Sequence, residues 1–430
     1  MLFLRKRETK TDMVDLSLKT PEDEAICERV TDLQKHMQDR TFDWAETNTG
    51  SWNRDGLISL APRLGDAFSA LEADIELIQT DPIEKIANNG QVEAFDTGPI
   101  IRIRSRQSAD MQVIMSGHYD TVFPPHTFTE IKEIGDDKFN GPGLADMKGG
   151  LSVMLGALQA FEAGPLKDKL GYQIIITPDE ETGNFASAPF LTEAAQSGAM
   201  IGMTYEPCMD TGAMSGGRKG SAVFDIVLHG RSAHAGRAKE DGRSALEAAA
   251  AMVVALEQLN GTYEGVTFNV GAIDGGSAVN IVPDLAVVRF GARAPDAEAA
   301  AWATQQVNNL LADALARDGI SGHMHGGFYR PPKPRNDAQQ HLFDAVAQTG
   351  RAIGLELEFV DTGGVCEGNN IFAAGVPNVD TLGVMGGRIH SDEEYVVMSS
   401  FGERAQLSAL LLNRIADGRL DAPKIKALMG

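Results

Sequence analysis

Apolar runs of strand length alternate with amphipathic stretches through the first half of the chain. Val113–Met115, Tyr172–Ile176 and Ile201–Tyr205 are such runs, and each reads as a buried strand. Between the first two, Met147–Ala163 places Leu151, Met154, Leu155, Leu158 and Phe161 three or four residues apart, which predicts a helix with one buried face. From about residue 20 to residue 210 the two patterns keep alternating. That order predicts an α/β domain built on a mainly parallel central sheet flanked by helices.

The pattern then changes. Glycines cluster at Gly212, Gly216 and Gly217 and again at Gly326 and Gly327, and these clusters are candidate hinges. Between them the reading is strand (Ala222–Leu228), Ala-rich helix (Ser244–Leu259), strands (Thr267–Ala272 and Leu285–Phe290) and helix (Ala297–Arg317), a compact α+β insert. Afterwards the α/β pattern resumes, with helix His341–Ile353, strand Val379–Leu382 and a last helix from about Met398. The expected division is residues 1–212 and 329–430 as two parts of one domain, with residues 213–328 inserted.

Length and composition narrow the class. A chain of 430 residues exceeds what one hydrophobic core usually supports, and 43% hydrophobic with 23% charged residues is ordinary for a soluble enzyme. The formal charge of −22 argues against nucleic acid and anionic lipid as partners. No apolar run reaches the roughly 18 residues of a membrane span. The start MLFLRKRETK places its charges after a very short apolar stretch, the reverse of a secretory signal, so the expected location is cytoplasmic. Cys27, Cys208 and Cys366 are too few and too scattered for a disulfide framework or a cysteine metal site.

Candidate chemistry gathers where strands end, the usual place for functional groups in a parallel α/β sheet. The first strand runs into Ser116-Gly117-His118-Tyr119-Asp120, and Asp120 can bond the far nitrogen of the His118 imidazole, as carboxylates behind metal-bound histidines do. A structural His–Asp turn is the plain alternative. The second strand ends in Asp179-Glu180-Glu181, three acids that are costly to desolvate together unless cations lie between them. Adjacent side chains diverge, so Glu181 can bind metal while Glu180 faces the reacting water. The third strand ends in Glu206-Pro207, where the proline keeps Glu206 extended. Asp146 stands in Gly141-Pro142-Gly143-Leu144-Ala145-Asp146-Met147-Lys148-Gly149-Gly150, and a plain helix cap needs none of that glycine. His390 follows the strand Val379–Leu382 and alone is an ordinary loop histidine. As a set, two imidazoles and three carboxylates, with one Glu to spare, exceed one tetrahedral ion and fit two divalent ions sharing a carboxylate and a water. Zinc suits this mixed donor set, with cobalt or manganese as alternatives.

These motifs, in this order, resemble the co-catalytic dizinc amidohydrolases and peptidases, a family that includes glutamate carboxypeptidase, aminoacylase, acetylornithine deacetylase and succinyl-diaminopimelate desuccinylase. The segments that carry the resemblance are Gly117–Val122, Gly141–Gly150, Asp179–Gly183, Tyr205-Glu206-Pro207 and His390-Ser391. Ser232–Gly236, Asn280–Pro283 and Thr381–Tyr395 look most like the bacterial glutamate carboxypeptidases. The resemblance implies that His118 and Glu206 hold one ion, Glu181 and His390 the other, and that Asp146 bridges them with the peptide after it in cis. Glu180 would be the general base and Asp120 the partner of His118. The insert would be a ferredoxin-like lid that also makes a homodimer, with His234 reaching the partner subunit's site to steady the oxyanion and Asn280 and Arg293 contacting substrate. Two departures stand out. Gly364–Asn370 stands where many relatives read Gly-Gly-x-Ser-Asp-Ala-Asn, so Cys366 and Glu367 put the substrate pocket in question, and Met147 stands where several relatives have a second Asp.

Carried through, the resemblance implies hydrolysis of an amide bond in a small peptide or N-acyl amino acid. Relatives that act as carboxypeptidases or acylases carry Glu at the position of Glu206, whereas aminopeptidases carry Asp. Arg293 offers a guanidinium to a free carboxylate, the geometry that residue suits. The alternatives are a di- or tripeptidase of the same family and, outside enzymes, an inactive metal-binding scaffold. An intact Glu180 argues against the last.

Overall fold

Residues 15–430 are described by a computed structural model; the amino-terminal segment on which the targeting expectation rests lies outside them. Among the described residues no helix is long and apolar enough to cross a membrane.

The central sheet has six strands, in the order 74–78, 100–105, 170–177, 111–118, 201–204, 378–379. The last four run parallel and 100–105 runs against them. Alternation within a strand shows why the apolar runs are continuous. Val113 and Met115 join one core with Met154, Leu158 and Leu411, while Ile114 and Ile175 join another with Leu191 and Ile371 on the opposite face. Helices Pro21–Ala45, Gly150–Glu162 and Ser400–Ala416 cover the first face, and Ala188–Gln196 and Glu367–Ala373 the second. Both faces are dry, so polar alternation has no place in these strands.

The second sheet is antiparallel, in the order 267–275, 285–294, 220–229, 321–330. Helices Ala245–Gln258 and Ala297–Leu315 pack on one face over Phe224, Ile226, Val288 and Phe290. The chain order βαββαβ with this strand order is the ferredoxin-like arrangement expected of the lid.

Two expectations need correction. The helix over Met147–Ala163 begins only at Gly150, because Asp146 (φ −116, ψ 92) and Met147 (φ −134, ψ 35) are not helical. Met147 is nonetheless buried in the core. The glycine pairs are not free hinges either. Gly216 and Gly217 lie in strand Met214–Arg218, paired with Phe359–Thr362, and Gly326 and Gly327 lie inside strand Ser321–Arg330. Gly326 (φ +102) sits where an added Cβ would fall 2.0 Å from the Val223 carbonyl oxygen, so close strand approach explains it.

One polar device fixes the helices behind the site. Buried Asp23 closes a capping box with Thr20, accepts from Asn413 Nδ2 at 2.8 Å and pairs with both Nη atoms of Arg419 at 2.7 and 2.8 Å. Burial alone would push this carboxyl up, but the bonds from Arg419, Thr20 and Asn413 outweigh it and bring it to about 2. The sign follows from a depressed folded pKa. The contribution is complete above the unfolded value of 3.8 and is lost as pH falls through about 2. Asp23→Asn should therefore cost about 2 kcal/mol at neutral pH, the scale of losing a buried charged acceptor. Urea midpoints should show the gap from the unmodified protein narrowing below pH 4. A gap that does not change with pH would refute this assignment.

Candidate active site

The ends of three parallel strands bring the acidic motifs to one place. Buried His118 ends strand Met111–His118; its Nδ1 lies 3.0 Å from the Asp120 carbonyl and 3.3 Å from Asp120 Oδ1. These acceptors fix a proton on Nδ1 and turn Nε2 towards the carboxylates. Nε2 lies 3.2 Å from Asp146 Oδ1 and 3.8 Å from Glu206 Oε1. On the other side of Asp146, His390 Nε2 stands 3.3 Å from Asp146 Oδ2 and 3.2 Å from Glu181 Oε2. Thus His118, Asp146 and Glu206 form one group, and Asp146, Glu181 and His390 another, each with ligand atoms within 4.8 Å of one another and with Asp146 common to both.

The chain around these groups is built to hold them. Gly149-Gly150 lets the helix after Asp146 approach the neighbouring strand, since a Cβ on Gly150 would lie 2.0 Å from the Tyr205 carbonyl oxygen. The peptide between Asp146 and Met147 is cis, as the resemblance implied. Buried Glu394 accepts from the N–H groups of Ala145 at 3.0 Å and Asp146 at 3.2 Å.

The three consecutive acids divide their work. Asp179 is structural: it accepts from Ser187 Oγ at 2.5 Å and Ala186 N at 2.7 Å. Asp120 accepts the N–H of Glu180 and of Glu181, both at 3.1 Å, and Ser51 Oγ at 2.7 Å. One buried carboxylate therefore orients His118, Glu180 and Glu181 together. Glu181 faces His390, while Glu180 Oε1 takes Arg330 Nη2 at 2.7 Å.

Electrostatics reflect the crowding. Burial, with Asp146 beside it, pushes Glu181 up to about 8, and burial pushes Glu206 up to about 7. Asp146 is held well below the usual carboxylate range; burial opposes this, and hydrogen bonds to His118 and His390 overcome it. His390 rises to about 11 through its bonds to Asp146 and Glu181. Glu206 Oε1 is buried with no hydrogen-bond partner among the described residues. An orphaned carboxylate oxygen, two imidazoles and a shared Asp form a donor set that fits two divalent cations and would satisfy the atoms the protein leaves unpaired.

A cleft of about 520 Å³ opens over both groups, between the two sheets. Asp146, Glu180, Glu181, Glu206 and His390 line it from one side, and Arg293, Arg330, Ser221 and Val223 from the lid. Sequence reasoning missed Arg330 because the Gly326-Gly327 pair masked the strand that ends in it. It also missed Arg218, which lines the cleft but is engaged by Asp380 at 2.8 and 2.9 Å. Arg293, singled out from the sequence, reaches the cleft and has no ion-pair partner among the described residues. His234 and Asn280 do not line this chain's cleft. Both are exposed, with the Ala235 N–H on the Asn280 carbonyl at 2.9 Å, beside Val279 and Ile281, also exposed. Cys366 and Glu367 do not line it either. Both are buried, Glu367 accepting from Thr177 Oγ1 at 2.5 Å and pushed up to about 8 by burial, so the departure from relatives lies outside the cleft lining.

The chain is similar to known proteins in sequence and in fold. Carboxypeptidase G2 of Pseudomonas sp. (strain RS-16) is 28% identical over 318 residues, 71% of this chain and 74% of that protein. Succinyl-diaminopimelate desuccinylase of Gluconobacter oxydans is 28% identical over 312 residues, 68% and 78% of the two chains. In fold, a tripeptidase from Staphylococcus aureus matches with a TM-score of 0.65 at 22% identity, covering 89% of this chain and 99% of that one. The sequence pattern of peptidase family M20/M25/M40 spans residues 114–414, from the His118 strand through the last helix of the core, and the chain belongs to that family.

Proposed function

We propose that this metal-dependent amidohydrolase cleaves an amide bond adjoining a free amino-acid carboxylate, as a glutamate-carboxypeptidase-like or N-acyl-amino-acid hydrolase. The observation that carries the reading is the distribution of cations in the cleft. Among the described residues three arginines line it; Arg218 is bound by Asp380 and Arg330 by Glu180, while Arg293 has no ion-pair partner there. Arg330 keeps its Nη1 and Nε without partners among the described residues. A substrate carboxylate on Arg293 supplies the partner that this guanidinium lacks.

His118 and Glu206 would hold one zinc ion and Glu181 and His390 the other, with Asp146 bridging. Such ions, when bound, lower the pKa of water and polarise a carbonyl. The chain's own groups do the rest. Glu180, set by its N–H on Asp120, takes the proton of the attacking water and returns it to the leaving nitrogen. Arg330 orients that carboxylate. Arg293 anchors the substrate so that its scissile bond lies beside Glu180. His234 and Asn280, exposed on the lid, act on the site of a second subunit in a homodimer, where His234 donates to the oxyanion.

Glu180→Gln should keep both metals and lower turnover by at least about 10²-fold, the scale of a general base. Metal analysis beside kinetics decides it, and a variant retaining most of its activity would exclude Glu180 as the base. Arg293 yields a second expectation. The enzyme should cleave an N-acyl amino acid far faster than its amide or methyl ester, and Arg293→Ala should erase that preference and lower kcat/KM about ten- to a hundred-fold, since the pair is worth about 1.5–3 kcal/mol. Equal rates on acid and amide by the unmodified enzyme would move the assignment to a di- or tripeptidase. Finally, mixing His234→Ala with Glu180→Gln subunits should restore activity that neither variant has. A verified heterodimer with none would rule out action in trans.

A further inference from the structure

In the lid sheet, even-numbered residues of strands Gly220–His229 and Leu285–Ala294 meet the helices, and odd-numbered ones form the opposite face. Along that face Val223, His229 and Arg293 are exposed, and Asp225 and Arg289 are half-buried. Val227 and Val287, direct partners in the pairing, are instead fully buried. Their cover is a hairpin that the chain makes between strands 74–78 and 100–105 of the central sheet.

Strands Ile83–Ile86 and Val92–Phe95 form this hairpin, and Ile86, 2% exposed, packs on Val227 and Val287. The turn is seated on the same patch. A Cβ added at Gly90 (φ +76) would lie 2.9 Å from Val227 Cγ1 and 3.1 Å from Leu285 Cδ1. Arg289 Nη2 donates to the Ile86 carbonyl at 3.0 Å. A two-stranded hairpin is marginal in water by itself, and Val92–Phe95 is exposed throughout, so the hairpin depends on what it touches. Away from the lid, Phe95 meets Trp52 edge-on with centroids 5.3 Å apart, and Lys85 Nζ stands 5.2 Å from the Trp52 ring centroid. Trp52 follows Ser51, whose Oγ bonds Asp120, the carboxylate that accepts the N–H groups of Glu180 and Glu181.

Strand register carries the lid contact to the cleft. Val227 pairs with Val287, Asp225 with Arg289 and Ser221 with Arg293. Arg289 and Arg293 therefore project from one face of one strand, the first held by the hairpin and the second lining the cleft. We propose that hairpin Ile83–Phe95 is a strap, which ties the lid down over the metal-binding groups and fixes how far Arg293 stands from them. It joins the two sheets by apolar contact and a backbone hydrogen bond, on a route separate from the pair of Arg330 and Glu180. Cutting it frees the lid to open and weakens substrate binding first, because Arg293 leaves with the lid. That consequence for substrate rests on the reading of Arg293 as the carboxylate anchor.

Two variants of the metal-loaded, full-length enzyme test the strap. Ile86→Ala thins the contact and serves where a larger change does not fold. Replacing residues 84–94 by two glycines removes it, and the pairing of Ile83 with Phe95 lets so short a turn close. Small-angle X-ray scattering without substrate should give both variants a larger radius of gyration than the unmodified enzyme at equal oligomeric mass. On N-acetylglutamate the shortened enzyme should show KM raised about five- to tenfold with kcat within about twofold, since bound substrate closes the lid again. Unchanged scattering in both variants overturns the strap. So does a fall in kcat at unchanged KM, the result of a hairpin needed only for the fold around the site. Larger radii in the variants, with no cleavage of N-acetylglutamate by any of the three proteins, support the strap and instead overturn the reading of the reaction.

Discussion

Mutual repulsion among Asp146, Glu180, Glu181 and Glu206 is the force that the rest of this structure manages. Parallel strands end side by side, so carboxylates placed at their ends lie within a few ångströms of each other and out of water. The protein supplies partial relief from several directions. Asp120 pins the backbone of Glu180 and Glu181, Glu394 pins that of Asp146, and two imidazoles lie between the acids. What remains unpaired is a set of oxygens suited to divalent cations.

That arrangement also explains how cations are spent across an acidic molecule. A chain of formal charge −22 would repel an anionic substrate over most of its surface. Against that background, three arginines converge on one cleft. Two of them neutralise the protein's own carboxylates, Asp380 and Glu180. Arg293 is the one of the three left without an ion-pair partner among the described residues, and the remaining acids of the cleft, Asp146, Glu181 and Glu206, are those grouped about the two imidazoles.

How much of this was legible in the sequence depended on which dimension the information lay in. The strands that end at His118 and Thr177 were plain because both faces are buried and the apolar runs are unbroken. The candidate donors were legible because His118 and the acids follow apolar strand runs or a glycine-rich turn and the five motifs keep a family order. What separates Asp179 from Glu180 and Glu181 was not, because three adjacent acids look alike until Ser187 and Ala186 claim the first. Arg330 was hidden by Gly326-Gly327, whose composition reads as a hinge although the close approach of Val223 is what demands it.

The ion pair between Arg330 and Glu180 joins the two sheets, since Arg330 ends a lid strand and Glu180 follows a strand of the central sheet. Arg330 also holds the Glu180 carbonyl at 2.8 Å, so the link is to backbone and side chain alike. The lid is thus a carrier of charge as well as a cover. Were it to swing away, it would take with it the counter-ion of the assigned base and leave that carboxylate facing its acidic neighbours alone. On the role proposed for Glu180, reactivity of the water and enclosure of the substrate would then rise and fall together, through electrostatics and not through shape alone.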